Sequence, residues 1–267
     1  MYIGSSKPSP FADSTVVISG GASGIGQATA EAFVAAGAHV VIVDSDVERL
    51  EPIVAKLSEA TAVPGDISRW EDCQAAALAA QATPHPVRAL VNSAAYFGSK
   101  GEQATPADWE RSLGVNVMGT ALMASAIAPL LREADGGAIV NVASISGYIA
   151  QPNRWTYNAT KGAILALTRC QALDLAPDGI RVNSVSPGTI WTPELDRMTD
   201  HNRAAWEPIM GSQHMLNRVG EPSEVASCIL FLCGPGASFI TGTDLLVDGG
   251  YVAMGHDERT STIPYKA

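Results

Sequence analysis

Positive charge, aromatic rings and paired cysteines are all scarce in this chain. Lysine and arginine total 17 against 27 aspartates and glutamates, a formal net charge of −10 over 267 residues, and no basic run occurs. A phosphate backbone finds nothing to grip here, which argues against nucleic acid as a partner. The same imbalance means that an acidic substrate needs a local arginine or lysine. No apolar stretch is expected to approach the roughly 18 residues that span a bilayer. The first 13 residues carry Ser, Pro and Lys in place of the apolar block of a secretion signal. A soluble, cytoplasmic protein with no membrane partner is expected. The four cysteines, Cys73, Cys170, Cys228 and Cys233, lack zinc-ligand spacing and read as buried free thiols, and the five histidines form no metal-binding pattern.

What the chain does have is apolar material, 46% of its residues, enough for one large core in a single domain. β-branched runs alternate with alanine-rich helical stretches from residue 15 almost to the end. Strands are predicted at 15–19, 39–43, 62–63, 89–92, 138–142, 181–185 and 244–247. Helices are predicted at 25–36, 46–59, from a capping box at 68–71 onward, at 105–134 with a bend near Gly114, at 156–176 and at 223–233. Near-continuous apolar strands between helices imply an α/β fold: a Rossmann-type, doubly wound, seven-stranded parallel sheet. Two stretches break the alternation. Residues 192–217, rich in charge, Met and Trp, lie where insertions commonly cover a ligand, and read as a substrate lid. Residues 251–267 extend past the last strand, either as a frayed tail or as an arm on a neighbouring subunit.

Ser19-Gly20-Gly21-Ala22-Ser23-Gly24-Ile25-Gly26 follows the first strand and opens a helix. Glycines allow the tight turn and the close approach of backbone to a pyrophosphate, and the helix start adds unpaired N–H groups. Asp44 ends the second strand, where a carboxylate accepts from both adenosine ribose hydroxyls and repels a 2′-phosphate. Neither Ser45 nor Ser23 offers a cation for such a phosphate, so NAD is expected rather than NADP. Asp66 and Ile67, after the third strand, can bracket the adenine.

Tyr157 and Lys161 are four residues apart on one predicted helix, so phenol and ammonium share a face. A cation beside a phenol lowers its pKa, which would make Tyr157 the general base that takes the hydroxyl proton as a carbinol loses hydride. Lys161 is placed as its electrostatic partner and as a donor to the nicotinamide ribose. Ser144 follows the fifth strand and can hold the substrate oxygen beside Tyr157.

Together the glycine turn, the Ser144/Tyr157/Lys161 trio, Pro187-Gly188-Thr189-Ile190-Trp191-Thr192 and the ending 240–250 resemble the short-chain dehydrogenase/reductase family over residues 15–250. The resemblance implies that Asn116 is a fourth catalytic member, bending its helix and holding a relay water. It implies that Asn92, Ala94, Pro187, Gly188, Ile190 and Thr192 join the cofactor site, and that the protein is a homotetramer. Asn92-Ser93-Ala94-Ala95 departs from the family's usual Asn-Asn-Ala-Gly. Substrate choice is expected from 146–156, 96–100 and the lid, with Ser146 and Arg154 as contacts. Arg154 reads either as a surface charge or as the partner of a substrate carboxylate. His214, Gln213, Trp206 and Glu207 in the lid read equally as substrate contacts, core or solvated surface. The whole chain resembles bacterial members that oxidise 2-keto-3-deoxy sugar acids, which makes a sugar or sugar-acid secondary alcohol the expected substrate. A ketone or acyl-thioester reductase and a catalytically silent nucleotide sensor are the rival readings.

Overall fold

A computed structural model describes residues 9–255 of the chain. The strands are β1 Thr15–Ser19, β2 His39–Asp44, β3 Ala60–Pro64, β4 Val87–Asn92, β5 Gly137–Val142, β6 Ile180–Pro187 and β7 Asp244–Val247. All pair in parallel, in the order β3-β2-β1-β4-β5-β6-β7. The order reverses between β1 and β4, and this opens a crevice beyond the carboxyl ends of the strands.

Successive side chains of a strand point to opposite faces, and this sheet buries both. Val16, Ile18, Val40 and Ile42 face one apolar layer, while Val17, Val41 and Val43 face the other. Helices α1 Gly24–Ala35, α2 Val47–Val54 and α9 Pro222–Cys233 cover the first layer through Phe33, Leu50 and Ile229. Helices α3 Trp70–Gln81, α5 Thr120–Glu133 and α6 Trp155–Leu175 cover the second through Ala76, Met123, Ile127, Leu131 and Ala172. The single-domain, seven-stranded parallel expectation therefore holds. The shorter α7 Pro193–Met198 and α8 Arg203–Gly211 lie in the predicted lid.

Three local expectations are corrected. The helix predicted to 59 ends at Val54, and β3 begins at Ala60, before its predicted start, because the parallel ladder with β2 extends to that residue. The capping box predicted at 68–71 does not form: Ser68 donates to Asp66, and α3 starts at Trp70 without a side-chain cap. A capping box forms instead between Thr105 and Asp108, opening α4 Pro106–Leu113. The third concerns apolar length. The continuous helical run Pro106–Glu133 is long and apolar enough to cross a membrane by length and composition, with half of its most apolar window buried. Met123, Ile127 and Leu131 are among the buried side chains of this run and pack on the sheet.

The predicted bend near Gly114 is present as a π-helical turn, Gly114–Gly119, between α4 and α5. The Thr120 hydroxyl donates to the Asn116 carbonyl at 2.9 Å, inserting a side-chain hydrogen bond into the widened ladder. All four cysteines are free. Cys73 is buried, but Cys170 is exposed on α6, so the buried-thiol reading fails there. Most of the 251–267 extension lies outside the described residues.

Candidate active site

A cavity of about 400 Å³ occupies the crevice and runs from Asp44 at the end of β2 to Tyr157 on α6. Its near wall is the turn between β1 and α1. Gly20 has φ +70°, and a Cβ there would stand 2.5 Å from the Ala94 backbone, so only glycine lets these two chains meet. Gly26 lies beneath the turn rather than on the wall, because a Cβ there would meet the Gly20 carbonyl oxygen at 2.1 Å. Ser23 is the N-cap of α1 and makes no side-chain cap, so the first N–H groups of the helix lie at the wall, beside Ser23, Gly24 and Ile25, without a capping side chain. Asp44 spans the same turn: its carboxylate accepts from the Ala22 and Asp46 N–H groups, each at 3.0 Å. The aspartate thus holds the glycine turn as well as facing the cavity.

Farther along, Asp66, Ile67 and Ala94 line the wall, as do Pro187, Gly188, Ile190 and Thr192 at the opposite end. Asp66 accepts from Ser68 and is paired with Arg111 at 2.9 Å. Burial alone would raise its pKa; the hydrogen bonds from Ser68 and Arg111 win and hold the carboxyl below its ordinary value. Ala95, the departure from the family pattern, lines the cavity with no left-handed backbone, so its methyl is accommodated. A glycine cradle, an uncapped helix start and a carboxylate at the far end suit a dinucleotide, and the residues present fit that group.

At the deep end, Ser144, Tyr157 and Lys161 converge on the same wall. Tyr157 is 8% exposed and Lys161 3%. The ammonium lies 5.6 Å from the centre of the Tyr157 ring and donates to the Val142 carbonyl at 2.7 Å. Ser144 lies close enough for its hydroxyl to favour the Tyr157 phenolate, and it accepts from the Ser146 N–H at 3.1 Å.

Electrostatics overturn one expectation. The phenol is not lowered by its lysine neighbour in the protein alone. Burial pushes Tyr157 up to about 12, and the Arg154 charge and the Ser144 hydrogen bond offset this only in part. Burial likewise brings Lys161 down to about 8. Desolvation penalises both charged forms, and the ammonium is aimed at a carbonyl rather than at the phenolic oxygen.

Several predicted residues lie off the cavity. Asn92 donates to Asn141 at 2.9 Å, and Asn141 donates on to Thr168 and Gln171, so Asn92 serves a buried network between β4, β5 and α6. Asn116 spends its amide on both backbone groups of Tyr96, at 2.7 and 3.1 Å, and on Thr160. Through Tyr96 it positions the 93–97 wall. Ser146 donates to Gln151 at 2.6 Å and is buried behind the wall. Arg154 caps the start of α6, half-buried, and its guanidinium makes no hydrogen bond or ion pair among the described residues. None of His214, Gln213, Trp206 and Glu207 lines this cavity. Glu207 is paired with Arg203, and His214 is buried.

Phe97 falls in the 96–100 stretch expected to choose substrate, whereas the wall residues Arg49 and Arg111 carried no local signal. Phe97 stacks on Tyr157 with ring centres 5.7 Å apart and planes at 28°. Arg111 lies over the Tyr96 ring at 5.8 Å and reaches the cavity, as do Arg49 and Glu194.

Comparison with known proteins adds to this geometry. A family model described as enoyl-(acyl carrier protein) reductase matches residues 20–252. An uncharacterised oxidoreductase of Bacillus subtilis is 38% identical over 253 residues, covering 90% of this chain and 91% of that protein. Mouse L-fucose dehydrogenase is 36% identical over 94% of this chain and 92% of its own. Cyclopentanol dehydrogenase of a Comamonas species is 35% identical over 90% and 98% respectively.

Proposed function

The chain belongs to the short-chain dehydrogenase/reductase family and is an oxidoreductase acting on CH–OH groups; we propose that it uses NAD to oxidise a secondary alcohol on a sugar or sugar acid. The observation that carries the reading is the meeting of Ser144, Tyr157 and Lys161 at one end of a cavity whose other end is Asp44.

Asp44 would hold the adenosine ribose, the turn at Ser23, Gly24 and Ile25 the pyrophosphate, and Ile190 with Thr192 the nicotinamide amide. When bound, the dinucleotide supplies the hydride acceptor. Every other task falls to the chain. Ser144 donates to the substrate oxygen and keeps it beside the Tyr157 hydroxyl. Tyr157 takes the carbinol proton as the C–H bond breaks. Lys161 keeps positive charge beneath the phenol and favours the phenolate while proton transfer occurs. Phe97, stacked on Tyr157, shields that transfer from water.

Arg154 supports an acidic substrate. It is a half-buried cation without a hydrogen-bond or ion-pair partner among the described residues, close enough for its charge to act on the Tyr157 hydroxyl. A 2-keto-3-deoxy sugar acid would supply the carboxylate. L-Fucose is the named substrate of one relative, which supports a polyol without requiring an acid. A reductase of acyl thioesters is the rival, and Asp44 weighs against the NADPH that biosynthetic reduction usually draws on. Large apolar side chains stand exposed at Phe239 and at Leu173 on α6, and a homotetramer would cover them.

A dehydrogenation screen over neutral sugars, sugar acids and simple secondary alcohols, with NAD and NADP, tests the reading. NADH formation on a sugar or sugar acid is expected; turnover with NADPH-linked thioesters alone would reject it. Arg154→Ala should then cost about 10- to 100-fold in kcat/KM on acids and little on neutral sugars. Equal losses on both would remove the carboxylate role.

A further inference from the structure

Beyond the catalytic wall, one buried group joins three separate parts of the chain. His214 follows α8, and its side chain is almost completely buried. Its Nε2 lies 3.2 Å from the Thr189 N–H, and its Nδ1 lies 3.0 Å from the Met210 carbonyl. Its ring stands edge-on to Tyr251, with centres 5.2 Å apart. Gly188 is small because of it: a Cβ at 188 would stand 3.0 Å from Nε2 and 2.9 Å from Asp248 Cα.

These partners leave one protonation state. Nδ1 faces a carbonyl and must carry hydrogen; Nε2 faces an N–H and must accept. The imidazole is therefore neutral with its proton on Nδ1. A second proton would set an N–H against the Thr189 N–H.

Thr189 belongs to the loop between β6 and α7 whose Pro187, Gly188, Ile190 and Thr192 line the main cavity. The rest of that loop is held from both sides by backbone. Gly188 N–H donates to Val247, Gly220 N–H to Thr189, and Trp191 N–H to Gly220. The Thr189 N–H, in the middle, is answered by His214 alone among the hydrogen bonds of this segment.

We propose that neutral His214 is a positioning residue for the dinucleotide: it pins the 187–192 loop and joins the lid helix α8 to the nicotinamide end of the cavity. This deepens the reading of that cavity as a nicotinamide dinucleotide site and rests on it. Four ionisable groups surround the imidazole. Asp248 faces it from the segment after β7 and favours its protonation, as do the Met210 and Gly211 carbonyls; Tyr251 packs on its edge. Arg218 and Glu224 share the neighbouring cavity but are paired with each other at 2.6 Å. Burial outweighs the favourable terms and holds the imidazole below its ordinary pKa. The neutral form thus prevails near neutrality, and a more acidic medium breaks the Thr189 contact.

The test uses the full chain, with NADH titrated by fluorescence from about pH 8 to about pH 5.5. Two variants accompany it: His214→Gln, which keeps an acceptor that does not titrate, and His214→Phe, which keeps the ring but no acceptor. Parent affinity should fall several-fold toward the acid end, and His214→Gln should flatten that fall. His214→Phe should bind about tenfold more weakly at the upper pH, as expected for one buried donor left unpaired. Superimposable parent and His214→Gln profiles would overturn the proposal. Two readouts need no cofactor. Imidazole NMR should show the Nδ1–H tautomer near neutrality, and hydrogen exchange at Thr189 N–H should be at least about tenfold faster in His214→Phe than in His214→Gln. The opposite tautomer, or equal exchange, refutes the pin. If the parent binds no NADH while both of these hold, the dinucleotide reading fails and the histidine–loop contact stands.

Discussion

Replacing Lys161 with methionine removes a charge that the fold has to keep out of water. Burial brings this ammonium from an ordinary 10.5 down to about 8. At about 1.4 kcal/mol per unit, holding it protonated inside costs about 3 kcal/mol near neutral pH. Methionine is unbranched and of similar reach, so it fills the same space without that cost. Against the gain, the Val142 carbonyl loses a 2.7 Å donor, a loss of about 1–2 kcal/mol. The net expectation is a variant more stable by about 1–2 kcal/mol, equivalent to about 3–6 °C in Tm for a chain of this size. Its pH dependence is the sharper signature. The unfolded lysine keeps its proton to about 10.5 and the folded one only to about 8. Raising pH through that window therefore stabilises the parent relative to its unfolded chain. Methionine has nothing to titrate, so its advantage should shrink as pH rises from about 8 to about 10. Urea midpoints for both proteins at three pH values measure this, alongside a turnover assay in which the variant loses at least about 100-fold. A stability gap that does not change with pH, or a variant weaker than the parent near neutrality, would refute the claim that this lysine is a desolvated cation retained for chemistry.

Tyr157→Phe should abolish dehydrogenation, by at least about 10³-fold, with little change in urea midpoint, since the ring and its Phe97 stack remain. Because burial raises the Tyr157 pKa to about 12, kcat/KM for alcohol oxidation in the parent should climb with pH from neutrality to about 8, where Lys161 begins to lose its charge, while ketone reduction, which needs the protonated phenol, should not; a flat oxidation profile over that range would count against the phenol as base. Asp44→Asn leaves one of the Ala22 and Asp46 N–H groups facing an amide NH₂, so NAD affinity by calorimetry should drop about tenfold and NAD-over-NADP preference should narrow. Gly20→Ala combines φ +70° with a Cβ 2.5 Å from the Ala94 backbone, and should lower stability by about 2–3 kcal/mol and impair dinucleotide binding.

The chain's own order of residues determined whatever is written in a short window. Alternating apolar strands and helices, a glycine turn joining β1 to α1, an aspartate at the end of β2 and a Tyr–Lys pair one turn apart are all local. The doubly wound sheet and its crevice follow from them. The weak interior residues Gly114 and Asn116 likewise announced a bend, though not that it takes the form of a π turn. Tertiary structure decided where side chains spend their hydrogen bonds and how dry their surroundings are. Asn92 and Asn116 are drawn into buried networks by partners tens of positions away. Asp66 receives Arg111 from α4, and Phe97 reaches Tyr157 from the segment after β4. His214 becomes a neutral pin only because Thr189 and Met210 meet at its two nitrogens. Above all, spacing along a helix predicts that phenol and ammonium are neighbours, but not the cost of desolvating them. That cost grows with burial, burial is made by distant parts of the chain, and here it moved Tyr157 up when proximity to a cation alone would have moved it down.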